Sequence, residues 1–242
     1  MRVKIKSKEN IAIEVANIFI NQVNENPKSV LGFATGSTPL GVYAKLIEAY
    51  NNGLVSFKQV TSFNLDEYVG LDGTHEQSYR YFMDHNLFDH IDIDKAKTHV
   101  PSGVGDDIVA QAQAYDVAIE EAGGIDLQIL GLGSDGHIAF NEPGTPFKSL
   151  THVAKLAEST IKDNSRFFES LSDVPKEAVT MGLESIMRAK KIVLIATGAS
   201  KADAVRDLLL GVYTEKVPAT VLRTHPDVTI YLDKEAASKI SE

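Results

Sequence analysis

The sequence predicts an α/β fold in which helices cover both faces of a mainly parallel sheet. Short apolar runs of strand length alternate with segments of helical periodicity, and polar or glycine-rich loops separate them. This alternation is typical of βαβ units, whose crossover helices pack on a parallel sheet. Because no internal repeat or flexible linker divides the chain, we expect one domain over residues 1–242.

The first half of the chain contains helices and strands in alternation. Apolar residues at helical spacing run from Ile11 to Val23, and Pro27 ends this first helix. Each later strand is predicted from an apolar run between turn-forming residues, and each later helix from a 3.6-residue apolar period. In chain order these elements are strand 29–34, helix 40–47, strand 60–65, helix 77–88 and helix 107–121.

The second half continues the alternation. Residues 127–132 form a mainly apolar run, which is typical of a strand buried on both faces. The elements predicted after it are helix 175–189, strand 191–197, helix 201–210 and strand 228–232. Functional groups of parallel sheets lie on loops after the carboxyl ends of the strands. The loops that we expect to form a site are therefore 35–39, 64–70, 133–148 and 197–201.

The composition excludes several classes of function. The chain has no cysteine, which excludes disulfides, thiolate metal sites and cysteine nucleophiles. Its formal charge of −9 disfavours binding to nucleic acid. The first ten residues lack an apolar stretch of signal-peptide length, and the apolar runs are too short to span a membrane. We expect a cytoplasmic protein with neither a nucleic-acid nor a membrane partner.

Residues 35–39, Thr-Gly-Ser-Thr-Pro, join a predicted strand to a predicted helix. Gly36 can adopt the positive φ that lets backbone amides converge, and Ser37 and Thr38 add hydroxyl donors. Pro39 suits the start of a helix, and helix N-termini attract anions. Two interpretations stay open, a phosphate site and an ordinary helix cap. A nucleotide-binding P-loop is excluded because its Gly-Lys-Ser/Thr ending is missing.

Two adjacent acidic residues, Asp66 and Glu67, follow the predicted strand 60–65. Neighbouring side chains of an extended segment point in opposite directions, so we expect only one of the two carboxylates to face a pocket. A solvated turn or a helix cap is the alternative interpretation of this pair.

The segment 131–144 contains four glycines around a histidine that has two nearby carboxylates. His137 stands close in sequence to Asp135 and Glu142, and a histidine oriented by a carboxylate is typical of proton transfer near neutral pH. The same three residues could ligate a divalent ion, but no second histidine lies nearby at metal-ligand spacing. We therefore favour acid–base chemistry and expect no metal.

Two basic residues could bind an anion. Arg166 could offer a bidentate guanidinium, and Lys201 follows the loop 197–200 where a predicted helix begins. Isolated basic residues are more often solvated surface charges, so this pattern alone leaves both interpretations open.

Taken together, six segments resemble the aminosugar isomerase/deaminase family, that of glucosamine-6-phosphate deaminase. In the family's order they are 35–39, 63–70, 134–143, 164–168, 174–182 and 198–202. The most specific is Asp-Gly-His-Ile-Ala-Phe-Asn-Glu-Pro at 135–143. The resemblance implies a Rossmann-like three-layer αβα fold of the kind found in ribose-5-phosphate isomerase and 6-phosphogluconolactonase. It also implies conversion of glucosamine 6-phosphate and water to fructose 6-phosphate and ammonium in N-acetylglucosamine catabolism, without a cofactor.

The resemblance also assigns roles to residues. Asp66 matches the family's enolisation base and His137 its ring-opening acid/base, while Asp135 and Glu142 match the groups that hold that histidine. The residues that match its sugar-phosphate contacts are Gly36, Ser37, Thr38, Arg166 and Lys201. Arg166 falls within a segment, roughly 156–176, that acts as a lid in relatives.

Two alternatives share the implied fold. A 6-phosphogluconolactonase typically follows its histidine with Thr-Ala-Ser-Leu-Phe-Pro and has Asp-Glu-Arg earlier, whereas this chain differs at 138–143 and has Asp-Glu-Tyr at 66–68. A non-catalytic sugar-phosphate sensor domain would need an attached DNA-binding helix pair, for which we expect no spare residues. The lactonase and the sensor are therefore disfavoured.

Some relatives are hexamers that N-acetylglucosamine 6-phosphate activates, with a basic cluster after the Asn-Glu-Pro segment and a longer C-terminus. Here Leu150 and Ala154 stand where those relatives carry basic residues, His152 replaces an arginine, and the chain stops at Glu242. We therefore expect no activator site. The sequence predicts no particular oligomeric state.

Overall fold

The computed structural model describes residues 1–240, so Ser241 and Glu242 at the end of the predicted domain lie outside the described residues. The strands are β1 (Arg2–Ile5), β2 (Val30–Phe33), β3 (Thr61–Asn64), β4 (Asp66–Tyr68), β5 (Thr98–His99), β6 (Leu127–Gly131), β7 (His152–Lys155), β8 (Glu177–Thr180), β9 (Ile192–Ala196) and β10 (Val228–Leu232). The α-helices are α1 (Lys8–Glu25), α2 (Leu40–Asn51), α3 (Tyr79–Asn86), α4 (Ile108–Glu121), α5 (Glu158–Asn164), α6 (Leu183–Met187) and α7 (Ala202–Leu210). None of these helices has both the length and the hydropathy that a membrane span requires.

Seven strands form the central sheet in the order β1-β10-β9-β6-β2-β3-β5, and every pairing between them is parallel. The predicted parallel sheet is therefore confirmed. From β2 the chain adds β3 and β5 on one side, and from β6 it adds β9 and β10 on the other. The strand order thus reverses between β2 and β6, which is where ligands bind in open α/β sheets.

Helices pack on both faces of this sheet. Phe33 of β2 contacts Phe19 of α1 with ring centroids 5.8 Å apart, and Phe63 of β3 contacts Tyr115 of α4 at 5.6 Å. Phe33 pairs with Asn64 in the ladder, whereas Phe63 is the chain neighbour of Asn64, so the two phenylalanines point to opposite faces. The helices α1 and α4 therefore lie on opposite faces, and the three-layer αβα fold is confirmed.

A second sheet was not predicted from the sequence. It has three antiparallel strands in the order β4-β8-β7. The helix predicted over 175–189 is wrong, because its first part is β8 and only Leu183–Met187 is helical. Val179 and Thr180 are β-branched and pair with strands on both sides, and Gly182 stands in extended conformation before the short helix. Pairing between distant segments therefore overrides the local helical pattern.

Candidate active site

A cavity of about 950 Å³ opens beside the carboxyl ends of β2, β3, β6 and β9. Its position coincides with the reversal of strand order between β2 and β6. The predicted site residues that line it are Gly36, Ser37, Thr38, Asp66, His137, Arg166 and Lys201. The two remaining predicted site residues, Asp135 and Glu142, contact His137 without being part of the cavity wall. All nine therefore belong to one region of the molecule.

The loop after β2 forms one end of the cavity. Gly36 has φ of 88°, a left-handed conformation that glycine adopts without strain. The buried Tyr43 hydroxyl donates to Ala34 O at 2.5 Å and accepts from Ala34 N at 3.2 Å, which fixes the start of the loop. The N-cap of α2 is Pro39, which makes no side-chain cap hydrogen bond. Since Ser37 and Thr38 do not cap the helix, the geometry favours the phosphate interpretation over an ordinary cap.

The loop after β9 lies at the same end. Gly198 has φ of 92°, and its amide donates to both carboxylate oxygens of Asp233 at 3.0 Å. This turn leads through the 3-10 helix Ala199–Lys201 into α7, so Lys201 stands at the helix N-terminus and lines the cavity. A lysine beside two glycine turns and two helix N-termini gives this end a positive potential that suits a phosphate group.

Strand β4 separates the two adjacent acidic side chains. Asp66 lines the cavity, whereas the Glu67 carboxylate points toward the N-terminus of α3. There it accepts hydrogen bonds from the amides of Tyr79 at 2.9 Å and Arg80 at 3.0 Å, and from its neighbour Tyr68 at 2.9 Å. This agrees with the expectation that only one of the pair faces a pocket, and it makes Glu67 a helix cap.

Burial raises the pKa of Asp66 to about 8, and the negative charge of Glu67 adds to this shift. The side chain is only 7% exposed, so its ionised form loses most of its hydration. Burial also raises the pKa of Glu67, to about 7, although its three amide donors favour the charged form. Asp66 is therefore a carboxyl group that can gain and release a proton near neutral pH.

The imidazole of His137 is held by a tight glycine turn. Gly136 has φ of 86°, and the amide of Gly133 donates to His137 O at 2.9 Å. A Cβ on Gly133 would lie 2.3 Å from the imidazole, so only glycine leaves room for this ring. Nδ1 of His137 lies 2.7 Å from Asp135 Oδ1, which also accepts from the His137 amide at 3.1 Å.

Burial acts to raise the pKa of Asp135, but its contacts with His137 outweigh burial and hold that pKa below its ordinary value. Asp135 therefore stays ionised beside the ring. Glu142 is the second carboxylate near the imidazole, with Oε2 3.7 Å from His137 Nδ1. Its other oxygen accepts from Thr160 Oγ1 at 2.6 Å and from the Ala157 amide at 3.2 Å.

Asp135, His137 and Glu142 could in principle hold a metal ion, because one ligand atom from each lies within 4.8 Å of the others. However, Asp135 Oδ1 and His137 Nδ1 are 2.7 Å apart, which is a hydrogen-bond distance. Two ligands of one tetrahedral zinc ion stand roughly 3.3 Å apart. The arrangement therefore suits an imidazole oriented by a carboxylate better than a metal site, and the absence of a metal stays a prediction.

Aromatic residues that the sequence did not single out form another wall. Tyr79 lines the cavity and stacks on Phe140 with ring centroids 6.0 Å apart. Tyr68 packs against both of these rings and against Phe168, at 4.8, 5.7 and 5.7 Å. These rings come from β4, α3, the His137 loop and the segment 156–176. No local sequence signal could have grouped them, because the cluster depends on the second sheet.

Comparison with known proteins identifies the family. Residues 6–231 match the family described as Glucosamine-6-phosphate isomerases/6-phosphogluconolactonase. The chain belongs to this family. It is 54% identical to the glucosamine-6-phosphate deaminase of Thermoanaerobacter pseudethanolicus over 234 residues. These residues cover 97% of this chain and 92% of that relative.

Solved structures of the family agree with this result. The chain is 43% identical to a protein described as a monomeric glucosamine-6-phosphate deaminase, with a TM-score of 0.97 and coverage of 99% of this chain and 100% of that one. It is 22% identical to 6-phosphogluconolactonase from Leishmania guyanensis, with a TM-score of 0.77 and coverage of 100% and 99%. The second likeness shows a shared fold alone.

Proposed function

We propose that this protein is a glucosamine-6-phosphate deaminase, which converts glucosamine 6-phosphate and water to fructose 6-phosphate and ammonium in N-acetylglucosamine catabolism. The observation that carries the proposal is that one cavity joins an anion-binding end to a buried carboxyl group and an oriented imidazole. Relatives that bear this activity in their names share about half of the residues over nearly the whole chain.

The substrate phosphate binds at the end of the cavity formed by the loops after β2 and β9. Backbone amides around Gly36, the hydroxyl groups of Ser37 and Thr38, and the ammonium of Lys201 are its ligands, and Arg166 approaches from the segment 156–176. Phosphate and sugar carbon-2 lie at different ends of the substrate. Binding energy from the phosphate therefore orients the reacting carbons without taking part in the chemistry.

Ring opening is the first chemical step. The pyranose opens when a proton leaves the anomeric hydroxyl and another reaches the ring oxygen, which one imidazole can transfer. Nδ1 of His137 faces Asp135, so Nε2 is the nitrogen that exchanges protons with the sugar. Asp135 stays ionised because the contacts with His137 hold its pKa low, and it fixes this tautomer.

Isomerisation and deamination follow on the open chain. Asp66 takes the proton from carbon-2 while the carbonyl oxygen of carbon-1 gains one from the substrate's ammonium group, which gives an enolamine. Asp66 then returns its proton to carbon-1, which gives the protonated 2-imine of fructose 6-phosphate. Water then adds to carbon-2, and ammonia leaves. Asp66 must both accept and donate a proton, and burial raises its pKa to about 8, which suits both steps near neutral pH. The aromatic wall beside Asp66 limits the access of water to the enolamine.

One assay separates this proposal from the lactonase and the non-catalytic sensor. The purified protein is given glucosamine 6-phosphate and, in parallel, 6-phosphogluconolactone, and ammonium release and lactone hydrolysis are measured. We expect ammonium release with equimolar fructose 6-phosphate. Hydrolysis of the lactone without ammonium release would contradict the proposal in favour of the lactonase, and no turnover of either compound would favour a sensor.

Several further expectations remain proposals. We propose that 156–176 is a lid, since it brings Arg166 to the cavity and Phe168 to the aromatic wall. The absence of a cofactor, a cytoplasmic location and one domain over 1–242 also stay predictions. Leu150 and Ala154 stand where activated relatives carry basic residues, and His152 replaces an arginine. We therefore expect N-acetylglucosamine 6-phosphate to leave the rate curve unchanged, and a leftward shift of that curve would contradict this expectation.

A further inference from the structure

Glu142 is the point where the His137 loop meets the segment 156–176. Its Oε1 accepts a hydrogen bond of 2.6 Å from the Thr160 hydroxyl and one of 3.2 Å from the Ala157 amide. Thr160 is only 5% exposed, and it lies in α5, while Ala157 is the N-cap of that helix. The first turn of α5 therefore binds one oxygen of the carboxylate whose expected role is to hold His137.

The second oxygen of the same carboxylate faces the imidazole. Glu142 Oε2 lies 3.7 Å from His137 Nδ1, which is too long for a hydrogen bond but within the distance of an ion pair whenever the imidazole is protonated. A carboxylate is planar and rigid, so the bonds to Oε1 also decide where Oε2 lies. A small rotation after loss of the Thr160 bond would carry Oε2 toward or away from the ring.

The same helix leads to the phosphate end of the cavity. After α5 the chain forms a 3-10 helix, Ser165–Phe167, that carries Arg166 into the cavity wall. Thr160 and Arg166 therefore belong to two consecutive helices of one short segment. A movement of α5 would therefore displace the hydroxyl donor that holds Glu142.

We propose that Thr160 is a positioning residue for ring opening: its hydroxyl holds Glu142 in the place where that carboxylate orients the His137 imidazole. The role couples the ring-opening step to the segment that bears Arg166, while Asp66 and carbon-2 are not involved. This inference rests on the proposed deaminase function. It assigns to Thr160 an effect on one step of the reaction, which an ordinary packing residue would not have.

Thr160→Val removes the hydroxyl and keeps the shape of the side chain. We expect kcat to fall about tenfold or more, with little change in KM or in the affinity for the open-chain analogue 2-amino-2-deoxyglucitol 6-phosphate. Ring opening becomes slower than cleavage of the carbon-2 bond. With substrate deuterated at carbon-2, the isotope effect on kcat should therefore be no larger than in the wild type.

Three further variants make the test specific. Thr160→Ser keeps the hydroxyl and should have the kcat and the isotope effect of the wild type. Ala157→Pro removes the second donor without backbone strain, because Ala157 has φ of −64°, and should lower kcat in the same direction by a smaller factor. Ser165→Ala removes a hydroxyl that donates to Lys162 O in the same segment and should behave as the wild type.

Thermal unfolding of each variant shows whether the fold is kept, and Ala157→Pro keeps the inference testable should Thr160→Val unfold. An unchanged kcat in Thr160→Val overturns the inference. A larger isotope effect than in the wild type, or a defect that serine does not restore, also overturns it. Wild-type protein that releases no ammonium overturns the proposed function as well, whereas an active wild type with an unaffected Thr160→Val variant overturns only the role of Thr160.

Discussion

Asp66 and Asp135 stand near the same cavity, yet their surroundings shift their pKa values in opposite directions. Asp66 is buried beside the negative charge of Glu67, and its pKa rises to about 8. Burial also acts to raise the pKa of Asp135, but the contacts with His137 outweigh burial, and this pKa lies below its ordinary value. The comparison shows that environment, not residue type, sets the proton affinity of each carboxyl group. It suits Asp66 to the proposed role of proton carrier and Asp135 to the proposed role of a charged orienting group.

The two regions are also built differently. Asp66 lies on a strand of the small antiparallel sheet, where Glu67 is tied to the N-terminus of α3. His137 lies on a glycine turn of the main sheet, where Gly133 leaves space for its ring. A strand that separates two carboxylates is suited to isolating one of them. A tight turn instead brings a carboxylate and an imidazole together.

The largest effect is expected from substitution of Asp66. Asp66→Asn keeps the shape of the side chain but removes the carboxylate that we propose as the carrier of the proton between carbon-2 and carbon-1. We expect kcat to fall by about a hundredfold to ten-thousandfold while the open-chain analogue still binds. The measurement is steady-state ammonium release with calorimetric binding as the control. A variant that keeps more than about a hundredth of the wild-type rate would show that another group is the base.

A smaller effect is expected from substitution of Asp135. Asp135→Asn removes the charge that we expect to fix the His137 tautomer. The amide of the asparagine can donate to Nδ1, which makes Nδ1 a hydrogen-bond acceptor in place of a donor. We expect kcat to fall about tenfold to a hundredfold, with KM nearly unchanged. If the variant also lost its affinity for the sugar phosphate, Asp135 would support the structure of the whole loop and not the imidazole alone.

The phosphate end should respond in KM more than in kcat. Lys201→Ala removes the charged side chain that we propose as a ligand of the phosphate, so we expect KM to rise about tenfold to a hundredfold with a lesser change in kcat. Lys58→Ala, an exposed lysine outside the cavity wall, is the matched control and should leave both constants unaltered. Equal KM values for the two variants would remove Lys201 from the site.

The smallest expected effect is a shift in the pH dependence of kcat/KM. Asp66 must be ionised to accept a proton, so kcat/KM of the wild type should fall as pH drops through about 8. Burial is the larger cause of this raised pKa and the charge of Glu67 the smaller. Glu67→Gln therefore should move the acidic limb to lower pH by less than about one unit. An acidic limb that moves to higher pH would contradict the assigned effect of Glu67.

The sequence predicted the central sheet because parallel strands are buried on both faces and leave continuous apolar runs. Residues 192–196 form such a run, and β9 coincides with it. The small sheet had no such signal, since β4, β8 and β7 have three or four residues each and pair across long distances in the chain. This is why 175–189 was predicted as one helix.

The site divides in the same way. Asp135 and His137 are two residues apart in one loop, so their contact could be predicted from the motif. Thr160 meets Glu142 across 18 residues, and only the packing of α5 against the His137 loop reveals that bond. Likewise, the sequence showed that one of Asp66 and Glu67 would face a pocket, but the choice between them depends on how β4 pairs with β8.

The central claim is that one cavity holds the phosphate at one end and presents carbon-2 to Asp66 at the other. A crystal structure with 2-amino-2-deoxyglucitol 6-phosphate tests it most directly. We expect the phosphate against Gly36, Ser37 and Lys201, with carbon-2 within about 3.5 Å of the Asp66 carboxylate. A phosphate bound elsewhere, or a carbon-2 turned away from Asp66, would contradict the claim.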